Sequence, residues 1–124
     1  PVIGVNTKEF PAFYRRSSGT SVDIALKDDR AIATFAAAEM QRTGRGIVLA
    51  NPISEDAEIE SAQWDDWFSR AMEATAGVKG RDKTPAVLDA LHRISGGETL
   101  RANLQLIREN VRLAARLARL AASS

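Results

Sequence analysis

Gly46-Ile47-Val48-Leu49-Ala50-Asn51-Pro52 is the stretch that decides the fold class. The apolar residues run unbroken between a glycine and an Asn-Pro step, the pattern of a strand buried on both faces. A strand of that kind implies helices on either side of a sheet, so the expected class is α/β. Working towards the N-terminus, Asp28 and Asp29 precede Ala31, Ile32, Phe35, Ala36 and Met40, spaced along one helical face and stopped at Gly44. Before them, Ser21 to Leu26 alternates polar and apolar residues with period two, which predicts a strand with one buried face. Val2 to Val5 is a short β-branched run that predicts another strand, leading into a loop at Phe10-Pro11.

Towards the C-terminus, Ser54 with Glu55 and Asp56 reads as a helix start, because a hydroxyl caps free amides and carboxylates suit the positive end of the dipole. Trp64, Trp67, Phe68, Ala71 and Met72 follow as one apolar stripe, and Gly77 and Gly80 end it. Such a stripe is expected in the core or at a subunit contact rather than as a base-stacking platform. Thr84-Pro85 starts a short helix that runs to Gly96-Gly97. From Leu100 onward, Leu104, Ile107, Val111 and Leu120 recur on one face of a long helix, with Arg108, Arg112, Arg116 and Arg119 on another. The order is about three strands and four helices, too few strands for a free-standing layered α/β/α domain. A missing upstream part is expected.

Composition narrows the function classes. Seventeen basic against sixteen acidic residues leave a net charge of +1, so no overall field draws the chain to nucleic acid or an anionic membrane. No cysteine is present and His92 is the single histidine, which removes disulfide frameworks, thiolate metal sites and histidine clusters. His92 is expected to be structural. No signal peptide is expected, since no basic segment and apolar run precede the first element. No apolar stretch reaches bilayer length before charge interrupts it, so no membrane span is expected. The expected location is cytoplasmic.

Asn6-Thr7-Lys8, Phe10-Pro11-Ala12-Phe13-Tyr14, Gly46 to Ile53, Thr84-Pro85, and Ser95-Gly96-Gly97-Glu98-Thr99-Leu100 leading to Asn103-Leu104-Gln105-Leu106 stand in this order along the chain. Together they resemble the C-terminal part of pseudouridine-5'-phosphate glycosidases, the family that also contains indigoidine-locus A proteins. The resemblance covers residues 1–124 as one C-terminal segment of a single domain whose N-terminal part is absent. Ser54, Arg81 and Ala86 depart from the family's common proline, lysine and phenylalanine.

The resemblance implies an enzyme that reversibly cleaves the carbon-carbon bond of pseudouridine 5'-phosphate to uracil and ribose 5-phosphate. It implies a lysine that holds the opened ribose as an imine-type adduct, and manganese as cofactor, both belonging to the missing part. A homotrimer is implied as well. No catalytic residue and no metal ligand are then expected in this chain, which alone should be inactive. Asn103 resembles the family's uracil-contacting position, and a carboxamide presents the acceptor and donors that uracil complements. Asn110, seven residues on, shares its helical face.

Two further candidates come from position. Lys8 sits in a loop beside a sheet end and could pair with the sugar phosphate, though an exposed structural lysine fits equally. Asn51 follows the buried strand and is constrained by Pro52, so it either points into the pocket or merely ends the strand. The competing reading is a stand-alone interaction module that uses the basic C-terminal helix.

Overall fold

The computed structural model describes residues 1–12 and 14–122, so Phe13 of the quoted motif lies outside the described residues. Three strands, β1 (Val2–Val5), β2 (Ile24–Leu26) and β3 (Val48–Ala50), form a parallel sheet in the order β2-β1-β3. Ile3 pairs with Ile24 on one side and with Leu49 on the other. Among the described residues four α-helices, α1 (Asp29–Thr43), α2 (Ser61–Ala74), α3 (Lys83–Ile94) and α4 (Glu98–Ala122), and a 3-10 turn at Gly80–Asp82 accompany the sheet. The class is α/β, as the apolar run at residues 46–52 predicts.

Helix α1 begins and ends where its residues require. The Asp28 carboxylate accepts the Ala31 N–H at 3.1 Å, and the Gly44 N–H returns to the Met40 carbonyl. Ile32 is fully buried and packs with Val5 of β1 and Leu113 of α4, while Leu26, Leu49 and Leu117 close around them. A second cluster joins Trp67 and Ala71 of α2, Ala90 and Leu91 of α3, and Ala102 of α4 to Tyr14, Ile53 and Ile59. Trp64 tilts against Tyr14 and stacks on Phe68, which remains 41% exposed, so the apolar stripe is core along one side only.

Two expectations need correction, and α4 buries a face other than its apolar line. The doubly buried strand is β1, not β3, because β3 lies at the sheet edge and its Val48 is 51% exposed. Ser54 does not start a helix. Its carbonyl accepts the N–H groups of Ala57 and Glu58 in a single turn, and Ile59 then leaves to donate its N–H to Tyr14, so α2 starts at Ser61. In α4 the buried side chains are Thr99, Ala102 and Leu113, while Leu104, Ile107 and Val111 face outward.

The α3–α4 corner is held by side chains. Gly96 and Gly97 both take positive φ, a conformation that side chains resist, and turn the chain sharply. Thr99, wholly buried, bonds His92 Nδ1 through its Oγ1 at 2.7 Å and donates its N–H to Ser95 Oγ at 3.1 Å. This bond gives His92 a structural partner.

Gly4 sets the turn after β1. A Cβ there would stand 2.1 Å from the Thr7 carbonyl oxygen and 2.9 Å from a Val22 methyl. At Gly46 an added Cβ meets nothing within 4 Å. Gly4→Ala is therefore expected to destabilise the fold by about 3 kcal/mol or more, and Gly46→Ala to stay within about 0.5 kcal/mol. Urea unfolding of the two variants beside the parent checks both.

Candidate functional site

All three strands are parallel, so their C-terminal ends share one edge of the sheet, the edge where ligands of open α/β sheets bind. Asn6 follows β1 at that edge and takes φ 56°, a left-handed conformation that asparagine tolerates better than most residues. Its N–H donates to the Leu26 carbonyl at 2.7 Å. Thr7 then closes on Glu9 through its hydroxyl, which donates to the Glu9 carbonyl and accepts the Glu9 N–H. Lys8 is carried between them, exposed, with its own carbonyl accepting the Val22 N–H.

Beside Lys8, the Glu9 carboxylate accepts the Ser17 hydroxyl and the Gly19 N–H. The Ser17 hydroxyl contributes most, and the two bonds together hold this carboxyl below the usual carboxylate range. The loop carrying Lys8 is thus tied at both sides.

Asn51 leaves β3 at the same edge. Its Nδ2 donates to Asn110 Oδ1 of α4 at 3.0 Å. This bond spans 59 residues of sequence, and it leaves the Asn51 oxygen and the Asn110 NH₂ as an acceptor and donor beside each other. A shallow cleft of about 260 Å³ runs past the pair, walled by Leu49, Leu113 and Ala114.

The course of α4 follows from its partners. Leu113 and Leu117 lie against the Val5 side of the sheet, Arg116 reaches Asp29 at 2.7 Å, and Leu120 shares a cleft with Ala33 and Ala37 of α1. Residues before Asn110 therefore extend past the carboxyl edge. Asn103 is on this projecting part, half-buried, about 10 Å along the axis from Asn110 on the same face. The fold brings Asn51 and Asn110 into contact and puts the Lys8 loop on the same edge.

A larger cleft of about 430 Å³ opens where the first turns of α4 meet the Ser54 to Glu58 turn. Asp56, Glu58 and Glu98 line it together with Arg101. Three carboxylates against one cation disfavour a phosphate. Arg16 fixes this turn, donating from Nη1 to the Ile53 carbonyl at 2.6 Å and from its N–H to Glu58 at 2.7 Å. Sequence reading passes over Arg16 and Glu58, since a lone Arg-Glu pair 42 residues apart carries no local signal.

The indigoidine synthase A like protein family model matches residues 1–120. A pseudouridine-5'-phosphate glycosidase of Hahella chejuensis is 40% identical over 122 residues, covering 95% of this chain and 40% of that protein. One of Caldanaerobacter subterraneus is 36% identical over 121 residues, covering 95% and 39%. Among solved structures, the prealnumycin C-glycosynthase AlnA in complex with ribulose 5-phosphate superposes with a TM-score of 0.84 at 28% identity, over 99% of this chain and 41% of that one. An indigoidine synthase A-like protein of Thermotoga maritima gives 0.78 at 32% identity, over 95% and 39%. The chain thus spans about two-fifths of the length of the relatives it matches.

The depressed Glu9 carboxyl gives a pH prediction. Its folded pKa lies below the unfolded value, so the contribution of its Ser17 and Gly19 bonds to the Lys8 loop is complete above about pH 4.3, the ordinary carboxyl value, and is lost as pH falls through the folded pKa, while the backbone bonds of the loop remain. Carboxyl-carbon NMR titration should find Glu9 below its ordinary range, and Ser17→Ala should move it back towards that range.

Proposed function

Because this chain belongs to the indigoidine synthase A like family, we propose that it is the C-terminal segment of a pseudouridine-5'-phosphate glycosidase and contributes the uracil-binding side of its pocket. The observation that carries this reading is the 40% identity over 122 residues to a glycosidase of that name. The likeness to a C-glycosynthase solved in complex with ribulose 5-phosphate supports a sugar-phosphate substrate.

In this reading the reaction is the reversible cleavage of the carbon-carbon bond of pseudouridine 5'-phosphate to uracil and ribose 5-phosphate. Breaking that bond needs an electron sink, supplied by a lysine that holds the opened sugar as an imine and lies upstream of Pro1. The chain by itself is inactive. Asn103 offers an acceptor and donors to the uracil edge, fixing the base without adding charge. Asn51, held by Asn110, presents a second carboxamide at the sheet's carboxyl edge. Lys8 stands at that edge as the cation for the sugar phosphate.

Manganese is the cofactor this reading implies. Among the described residues no three His, Asp or Glu side chains gather to hold a metal ion. These residues do not fit the ion, so no step runs through it here. The trimeric assembly and cytoplasmic location belong to the same proposal. Among the described residues no helix is long and apolar enough to cross a membrane.

A module docking through the basic face of α4 has less support. Arg112 meets Glu109 and Arg116 meets Asp29, so the arginine stripe is already engaged within the chain.

Joining this chain to the three-fifths of the Hahella chejuensis glycosidase that it does not span gives a polypeptide of family length. That chimera is expected to release uracil from pseudouridine 5'-phosphate, and Asn103→Ala to lower kcat/KM about 10- to 100-fold, the cost of a lost buried hydrogen bond. A folded chimera that releases no uracil, or an Asn103→Ala variant with full activity, would overturn the proposal.

A further inference from the structure

The half of α4 that projects beyond the sheet carries an apolar line on the side away from its own core. Leu100, Leu104, Ile107 and Val111 are 43%, 44%, 49% and 62% exposed. Steps of four, three and four residues align them along the axis, the seam that one helix offers another. Single exposed leucines need no explanation, but a continuous line of four does.

Beside this line, on its Asn110 side, α4 meets the sheet. A groove of about 250 Å³, walled by Phe10, Val48, Leu106 and Asn110 among others, joins α4 to the outer edge of β3. Val48 and Phe10 are 51% and 43% exposed. Among the described residues β3 pairs with β1 alone. The Val48 N–H turns inward to the Pro1 carbonyl at 3.3 Å, so by alternation the Leu49 N–H and carbonyl point away from the sheet.

These features select the kind of occupant. An open parallel edge takes another strand, and a helical seam takes another helix, so one βα segment satisfies both. The seam is bordered by Arg101 and Arg108 on one side and by Asn103 and Asn110 on the other. A helix with acidic residues opposite the arginines suits it. A second copy packed antiparallel would set arginine against arginine. The relatives have the missing material, since each extends about three-fifths of its length beyond the part this chain matches.

We propose that the outer edge of β3 and the α4 line from Leu100 to Val111 form one docking surface for the three-fifths of the family domain that this chain does not span. That part contributes a strand parallel to β3 and a helix, acidic opposite Arg101 and Arg108, along α4. Docking there also walls in Asn103 and Asn110, which border the seam. The choice of partner rests on the functional reading above, whereas the surface rests on exposure and unpaired backbone.

The test mixes this chain with the part of the Hahella chejuensis glycosidase outside the matched segment, made as a separate polypeptide. Sedimentation velocity is expected to show a one-to-one complex. Ile107→Glu and Val48→Asp should each weaken it at least ~30-fold, as loss of a central interface contact does. Met40→Glu, at a site 50% exposed on α1, should not. If the chain folds only with its partner, mixing should produce a gain in helical circular dichroism that Ile107→Glu abolishes. No association by either measure, or undiminished affinity in Ile107→Glu, overturns the proposal. So does a self-associated chain that Ile107→Glu makes monomeric and that ignores the added polypeptide. Uracil release is not part of the readout, so a complex without activity removes the functional reading and leaves the docking surface standing.

Discussion

A strand in a parallel sheet needs hydrogen-bond partners along both edges and cover on both faces, and β1 is the strand of this sheet that pairs on both sides. β2 and β3 flank it, Val5 meets Ile32 and Leu113 on one face, and the Thr7 carbonyl and Val22 press against Gly4 on the other. The rest of the arrangement follows from satisfying β1. The loop after it folds back tightly enough to present Lys8, and α1 and α4 are drawn together under the sheet by the same apolar cluster. Asp29 and Arg116 then meet across that helix pair.

The chemistry collects where this constraint leaves polar groups exposed. All the strands end at one edge, and beyond β3 the groups found there are uncharged donors and acceptors, Asn51 and Asn110, with Lys8 as a cation on the loop after β1. Carboxamides read a neutral base edge through hydrogen bonds and contribute no proton chemistry. In the proposed function, the electron sink for breaking a carbon-carbon bond comes from another part of the domain. The cleft lined by Arg101, by contrast, is rich in carboxylates, which disfavours a phosphate, and its Ser54 to Glu58 wall is held by Arg16.

Local signals were legible in the sequence and tertiary ones were not. Asp28 and Gly44 mark the ends of α1 because caps are local, and Val2 to Val5 reads as a strand because its β-branched residues allow little else. Ser54 misleads for the opposite reason. It carries the composition of a helix start, but the long-range bond from Ile59 to Tyr14 pulls the chain straight before a helix can form. The apolar run at Val48 reads as doubly buried, and its outer edge is open in this chain; Leu104, Ile107 and Val111 read as one apolar helical face, and that face lies exposed. Periodicity reports that a face wants cover without reporting which segment supplies it. Of the candidate site residues, the contact between Asn51 and Asn110 lay beyond any reading of spacing, while Asn103 was reached through its resemblance to a family position.

The central claim is that this chain is one part of a larger α/β unit, open along β3 and α4. Amide hydrogen exchange at Leu49, whose N–H points outward from the edge strand, tests it most directly. Measured in this chain alone and again in a family-length chimera, the account predicts an amide that exchanges like an exposed loop in the first and is slowed at least ~100-fold in the second, as for core strand amides. Equal exchange rates in the two would contradict it.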